Sequence, residues 1–82
     1  MNAKRRDDIR RTVELIQEAR SMLETASEGE QEYLDNMPES LQGGEKGDTA
    51  QTAIDEIDSA MSSLDEAISS IENADSKLNV SV

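Results

Sequence analysis

The sequence contains no cysteine and no histidine, and Tyr33 is its only aromatic residue. The absence of cysteine excludes disulfide bonds and zinc sites built on Cys/His clusters. Without histidine or cysteine, the commonest general bases and nucleophiles are missing, and only carboxylates, hydroxyls and lysines remain for catalysis. We therefore predict a protein that is not an enzyme and that uses no cofactor and no metal.

Long apolar stretches are also missing, because no apolar run exceeds three residues. The basic start, MNAKRRDDIRR, leads into no apolar region. The sequence therefore predicts neither a signal peptide nor a membrane-spanning segment. We expect a cytoplasmic protein.

The material for a hydrophobic core is thin, since 34% of the 82 residues are apolar. A chain of this length is near the lower limit for a self-sufficient core. Small domains usually add disulfides, a metal or a second subunit, and this sequence has neither the cysteines for disulfides nor a Cys/His cluster for zinc. We predict a homodimer or a higher homo-oligomer.

The net charge of −11 is distributed unevenly. Residues 1–20 hold six basic and four acidic side chains, which gives +2, whereas the rest of the chain holds two basic and 15 acidic ones, which gives −13. A body this acidic repels nucleic acid and anionic membranes and attracts basic surfaces. Besides itself, we expect the chain to bind a basic protein, with no direct nucleic-acid binding and no membrane association.

Periodicity in the second half of the chain predicts a long amphipathic helix. Apolar residues recur there at alternating spacings of four and three, which is the pattern of a heptad seam. A row of alanines, spaced by seven, accompanies the seam and favours close approach of another helix. The seam consists of Ala50, Ile54, Ile57, Met61, Leu64, Ile68 and Ile71, and the row of Ala53, Ala60, Ala67 and Ala74.

The first half predicts a noisier helix, whose stripe includes Ile9, Val13, Ile16 and Leu23. The fold class is therefore all-α, an antiparallel hairpin of two long helices that assembles into a bundle by dimerisation or higher oligomerisation. Leu15 and Met22 form an additional pair beside the stripe and indicate a second contact. The predicted oligomer seam comprises Ile54, Ile57, Met61, Leu64, Ile68, Ile71, Leu15 and Met22.

One helical-hairpin domain is predicted over residues 1–78. It comprises a helix over about 4–36, a short turn at 38–42, a loop at 43–48 and a helix over about 49–76. Residues 79–82 are predicted to be a disordered tail. The loop, with three of the four glycines, superficially resembles a phosphate-binding loop but lacks its strand–loop–helix sequence context, so we interpret it as a connection.

The basic segment at the start of the chain allows two interpretations. In an antiparallel hairpin it lies beside the acidic end of the second helix, which holds Asp65, Glu66, Glu72 and Asp75, so its charges are paired internally. Alternatively, the segment binds an anionic ligand in an oligomer. The candidate anion-binding residues are Arg5, Arg6, Arg10 and Arg11.

Carboxylates form rows on the polar faces of both helices. Two such rows on a rigid rod can imitate a nucleic-acid backbone and occupy a basic groove; the alternative is a merely solvated surface. The candidate partner-binding residues are Glu24, Glu28, Glu32 and Asp35 on the first helix and Asp55, Asp58, Asp65, Glu66 and Glu72 on the second.

The segment over about 28–74, with its EQ…NMPESLQ…GE block followed by a helix of AI..LDEAI type, resembles small acidic proteins of bacteriophages and prophages. The resemblance implies a phage origin, a location in the host cytoplasm and no particular residue roles. By analogy it suggests a non-enzymatic protein that binds and inhibits a host or antiviral-defence protein. The alternatives are a structural or adaptor bundle and, with less support, a binder of an anionic ligand.

Overall fold

The structure, a computed structural model, describes the backbone of residues 2–80 and the side chains of residues 3–78. It contains a long helix α1 (Asn2–Asp35), a single turn α2 (Glu39–Gln42) and a second long helix α3 (Glu45–Val80). No strand occurs within residues 2–80. The predicted all-α fold class is confirmed.

Helices α1 and α3 contact each other along most of their length. Arg20 of α1 lies beside Asp65 of α3, and Ser27, one heptad further along α1, lies beside Asp58, one heptad back along α3. The two helices therefore run in opposite directions. Together they form a rod of 62 × 15 × 12 Å.

Burial along α1 follows an unbroken heptad pattern that its sequence only partly shows. Arg20, Ser27 and Glu30 occupy positions in the seam where apolar residues would be expected, and all three are half-buried. The seam of α3 is apolar over most of its length and is buried or half-buried. Because α1 and α3 are the elements in contact, the apolar residues Ile54 to Ile71, predicted as an oligomer seam, face α1 of the same chain.

The connection between the long helices is shorter than the loop predicted at 43–48. Helix α3 begins at Glu45, so only Gly43 and Gly44 separate α2 from α3. The amide of Asp48 donates to the carbonyl of Gly44 at 2.9 Å, and the acidic residues of this first turn are favourable at the positive end of the helix dipole. Those two effects extend the helix into the expected loop.

The outer ends of both long helices also extend beyond their predicted bounds. Helix α1 begins at Asn2 rather than near residue 4, and α3 continues to Val80 rather than ending near residue 76. Residues 79 and 80, predicted as part of a disordered tail, are helical in their backbone. Residues 81 and 82 of that tail lie outside the described residues.

The connector is packed rather than loose. The side-chain amide of Gln42 donates to the carbonyl of Met37 at 2.9 Å and to that of Leu34 at 3.3 Å. Carbonyls at the end of a helix have no partner within the helix, so Gln42 caps the end of α1. Gly47 of α3 lies against the backbone of Gln42, where an added Cβ would be 1.8 Å from the carbonyl oxygen.

The two ends of the rod are stabilised differently. The three buried apolar residues among those described, Met37, Ala50 and Ile54, all lie at the connector end. At the opposite end Arg6 forms an ion pair with Asp75 at 3.2 Å, with both side chains about three-quarters buried. The apolar core is therefore concentrated near the connector, and charge pairing closes the open end.

Glu30 is a charged residue at a seam position, and its replacement tests the importance of the seam. We expect Glu30→Leu to raise the free energy of unfolding by about 1–2 kcal/mol, because a half-buried carboxylate gives way to an apolar side chain. Thermal unfolding followed by circular dichroism measures the effect. Glu32→Leu, at an exposed position, should change stability by no more than about 0.5 kcal/mol. A lower melting temperature for Glu30→Leu would contradict the assigned seam.

Candidate functional site

The seam between α1 and α3 leaves two flanks, and one of them is rich in carboxylates. A groove on this flank is lined by Arg10, Gln17 and Glu72 from the two helices. A second groove further along is lined by Glu24, Gln31 and Asp58 among others. On each helix, these residues come directly after a seam residue in the chain. The antiparallel packing places the two sets side by side. We call this side the acidic flank.

The structure brings the two predicted rows of carboxylates together on this flank. Glu24, Glu28 and Asp58 line one groove, and hydrogen bonds from Gln31 and Gln51 hold the neighbouring Asp35 and Asp55. Two of the predicted residues, Glu32 and Glu66, lie at heptad positions on the outer backs of the helices. The acidic flank consists of Glu24, Glu28, Asp35, Asp55, Asp58, Asp65 and Glu72.

Arg20 partly neutralises the acidic flank. Its guanidinium donates to the carboxylate of Asp65 at 2.7 Å and lies 3.5 Å from that of Glu24. The hydrogen bond to Asp65, followed by the charge of that carboxylate, raises the pKa of Arg20 above its ordinary value. Ser27 donates a hydrogen bond to Asp58 at 3.2 Å. Asp58 and Asp65 therefore join the two helices as well as contributing charge.

The arginines predicted as a possible anion site are engaged within the chain. Arg6 and Arg10 both approach Asp75, at 3.2 and 3.9 Å, and Arg11 pairs with Glu14 at 3.1 Å. The internal pairing expected between the basic start of α1 and the far end of α3 is confirmed at Asp75.

The remaining basic residues of this segment also interact within the chain. Lys4 forms an ion pair with Asp8, and that hydrogen bond raises the pKa of the lysine. Arg5 is also engaged in an interaction. The geometry favours a neutralised segment over a pocket for an external anion.

The opposite flank is apolar and consists mostly of small side chains. On both helices, alanines occupy positions directly before seam residues, and Tyr33 occupies such a position on α1. Leu15 and Met22 extend this surface around α1. Met22 is 74% exposed, Tyr33 49% and Leu15 47%. The alanine flank consists of Leu15, Ala19, Met22, Ala26 and Tyr33 on α1 and Ala53, Ala60, Ala67 and Ala74 on α3.

The sequence contained the signal for the alanine flank, but only the pairing of the helices assembles it. In the sequence, Ala19 and Ala26 border the apolar stripe of the first helix, and the alanine row borders that of the second. Nothing in the sequence connects the two borders. The antiparallel packing places these borders on one side of the rod. In the predicted oligomer seam, Leu15 and Met22 remain exposed while the α3 residues are covered by α1.

The glycine-rich connector forms an open groove whose lining includes Glu45, Asp48 and Glu56. These carboxylates disfavour a phosphate there, in agreement with the interpretation as a connection. In the part of the chain that the structure describes, no cluster of acidic side chains is placed to share a metal ion. Within the same part, none of the helices has the length and apolar character needed to cross a membrane.

In comparisons with protein-family models, curated proteins and solved structures, nothing matches this chain.

Proposed function

We propose that this chain is the helical-hairpin protomer of a non-enzymatic binding module of phage type, which acts in the host cytoplasm. Its acidic flank occupies the basic, nucleic-acid-binding surface of a host or antiviral-defence protein and inhibits that protein. The observation that carries the proposal is the gathering of carboxylates from both long helices onto one flank. The resemblance over about 28–74 supports the phage origin and the inhibitory role by analogy.

The geometry supports mimicry of a nucleic-acid backbone in two respects. The carboxylates lie on a rod 62 Å long built of two packed helices, so that their spacing is set before a partner binds. The contacts of Asp58 and Asp65 with α1 hold both rows in one orientation. Preorganised charge of one sign speeds association with a basic surface and costs little conformational entropy on binding.

The test begins with a tagged chain, which captures its partner from a bacterial host lysate. The purified partner is loaded with a fluorescent nucleic-acid duplex and titrated with the chain. We expect the chain to displace the duplex, with an affinity that falls steeply from low to moderate salt because surface charges are screened. A duplex that stays bound at saturating concentrations of the chain would refute mimicry.

A matched pair of variants assigns the binding to the acidic flank. Glu24→Gln, Glu28→Gln and Glu72→Gln together remove three charges from the flank without touching Asp58 or Asp65. We expect this triple variant to bind the partner about tenfold or more weakly, because charge complementarity at the contact is lost.

The control removes an equal number of negative charges from the outer backs of the helices, through Glu18→Gln, Glu32→Gln and Glu66→Gln. It should retain most of the affinity. Equal losses in the two triple variants would show that overall charge rather than the flank determines binding.

The alanine flank favours a second candidate, a structural or adaptor bundle whose main partner is another copy of itself. Its exposed apolar side chains are more extensive than a simple acidic rod requires. Under this function, the triple variants would leave partner binding unchanged, and changes at Leu15 and Met22 would abolish it.

A further inference from the structure

We propose that the alanine flank docks a second copy of this chain, with α1 of each copy lying against α3 of the other. This docking rests on the self-association proposed above and assigns it to one face and one arrangement. It replaces the predicted oligomer seam, because α1 of the same chain already covers the α3 residues of that seam.

The exposed surface of the chain is larger than that of a compact protein of the same mass. The chain exposes 5915 Å² of accessible surface, whereas a compact monomer of 9.0 kDa exposes about 4,900 Å². The excess of about 1,000 Å² is close to the roughly 800 Å² that each partner buries in a standard protein interface. A second copy that docks along the rod would cover most of this excess.

Charge distribution selects the face. One-third of all residues are charged. On this side of the rod, from Leu15 to Tyr33 on α1 and from Thr49 to Ala74 on α3, Glu56 is the one charged residue. The opposite flank carries the carboxylates of both helices. In a chain of net charge −11, the alanine flank is where two copies can approach with the least repulsion.

Side-chain size indicates the arrangement. The α1 half of the flank carries the large residues Leu15 and Met22, whereas the α3 half carries alanines and, behind them, Ser63 and Ser70. A twofold axis parallel to the rod places the large half of each copy on the small half of the other. From the register of Arg20 with Asp65, Met22 then meets its partner at the level of Ser63.

This arrangement has a consequence for the acidic flank. Docking through the alanine flanks leaves an acidic flank on each outer side of the resulting four-helix assembly. All neighbouring helices in it run antiparallel, which is the common packing of such bundles. The dimer therefore presents two identical acidic surfaces, directed away from each other, and is bivalent for a basic partner.

Sedimentation equilibrium of the full chain and a pair of charge variants test the face. Leu15→Glu with Met22→Glu places two carboxylates on the alanine flank, and we expect it to weaken self-association by about 100-fold or more, because burial of unpaired charge is costly. Gln17→Glu with Ser21→Glu adds the same charge to the other side of α1 and should remain dimeric. Circular dichroism should show full helix content for both variants, since all four positions are exposed.

The outcomes separate the two levels of the proposal. A monomeric wild-type chain at micromolar concentration would overturn self-association itself. A wild-type dimer that persists in the Leu15→Glu, Met22→Glu variant would overturn the face and leave self-association intact.

Cross-linking tests the arrangement and does not depend on the folding of the charge variants. Because the chain has no cysteine, Met22→Cys and Ser63→Cys each introduce a single thiol. When the two variants are refolded together and oxidised, we expect a disulfide-linked heterodimer. Efficient cross-linking of Met22→Cys to itself would instead place α1 against α1 and overturn the arrangement.

Discussion

Replacing Gly47 by alanine should lower the free energy of unfolding by about 2 kcal/mol or more, because the new methyl group overlaps the backbone of the connector. A Cβ at this position would be 1.8 Å from the carbonyl oxygen and 2.5 Å from the carbonyl carbon of Gln42. Neither atom can rotate away as a side chain can, so α3 and α2 must separate. For a chain of this size the melting temperature should fall by roughly 10 °C.

Gly29 offers a control with the same substitution and the opposite sign. It lies inside α1, and a Cβ there would have no neighbour within 4 Å. Alanine in a helix interior is about 1 kcal/mol more favourable than glycine, so Gly29→Ala should stabilise the protein. Thermal unfolding of both variants under the same conditions measures the contrast. A Gly47→Ala variant as stable as the wild type would show that α2 and α3 do not meet closely.

Truncation of Ile54 to alanine should destabilise the protein by about 2–5 kcal/mol, the range measured for large-to-small changes in protein cores. Ile54 is 5% exposed and belongs to the small group of buried residues at the connector end. A chain of this length has a total stability of only about 4–12 kcal/mol, so the substitution should remove a large share of it. Denaturant unfolding followed by circular dichroism determines the loss.

Ile71→Ala removes the same atoms from the same seam near the open end of the rod. Ile71 is only half-buried, and the lost free energy scales with the apolar surface removed from water. We expect a loss less than half of that for Ile54→Ala. Equal losses at the two positions would contradict a core concentrated at the connector and would indicate that the whole seam is buried equally.

The all-α fold and the α3 seam could be read from the sequence because each depends on local order. Alternating spacings of three and four place Ile54, Ile57 and Met61 on one face of any helix that contains them. The α1 seam could not be read in full, since Arg20, Ser27 and Glu30 interrupt its apolar pattern. Their half-burial depends on partners in α3, as in the contacts of Arg20 with Asp65 and of Ser27 with Asp58.

The connector, too, could be predicted from the sequence only in part. Pro38 and the cluster of glycines marked the place where the chain turns, because they are poor residues for a helix interior. Their spacing predicted a loop through residue 48, whereas Gly47 is helical and packs against Gln42. From the sequence, the glycines are interpreted only as part of a connection, but at Gly47 the absent side chain allows a close approach of two elements. Such proximity is visible only when both elements are placed.

By itself, the sequence determined that the chain forms long helices, that its body is acidic and that disulfides and Cys/His zinc sites are excluded. These properties follow from composition and from periodicities shorter than one helix. The tertiary structure decided which faces share a side of the rod. Two rows of carboxylates became one acidic flank, and two margins of small residues became one apolar flank, because the antiparallel register of α1 and α3 joins positions far apart in the chain.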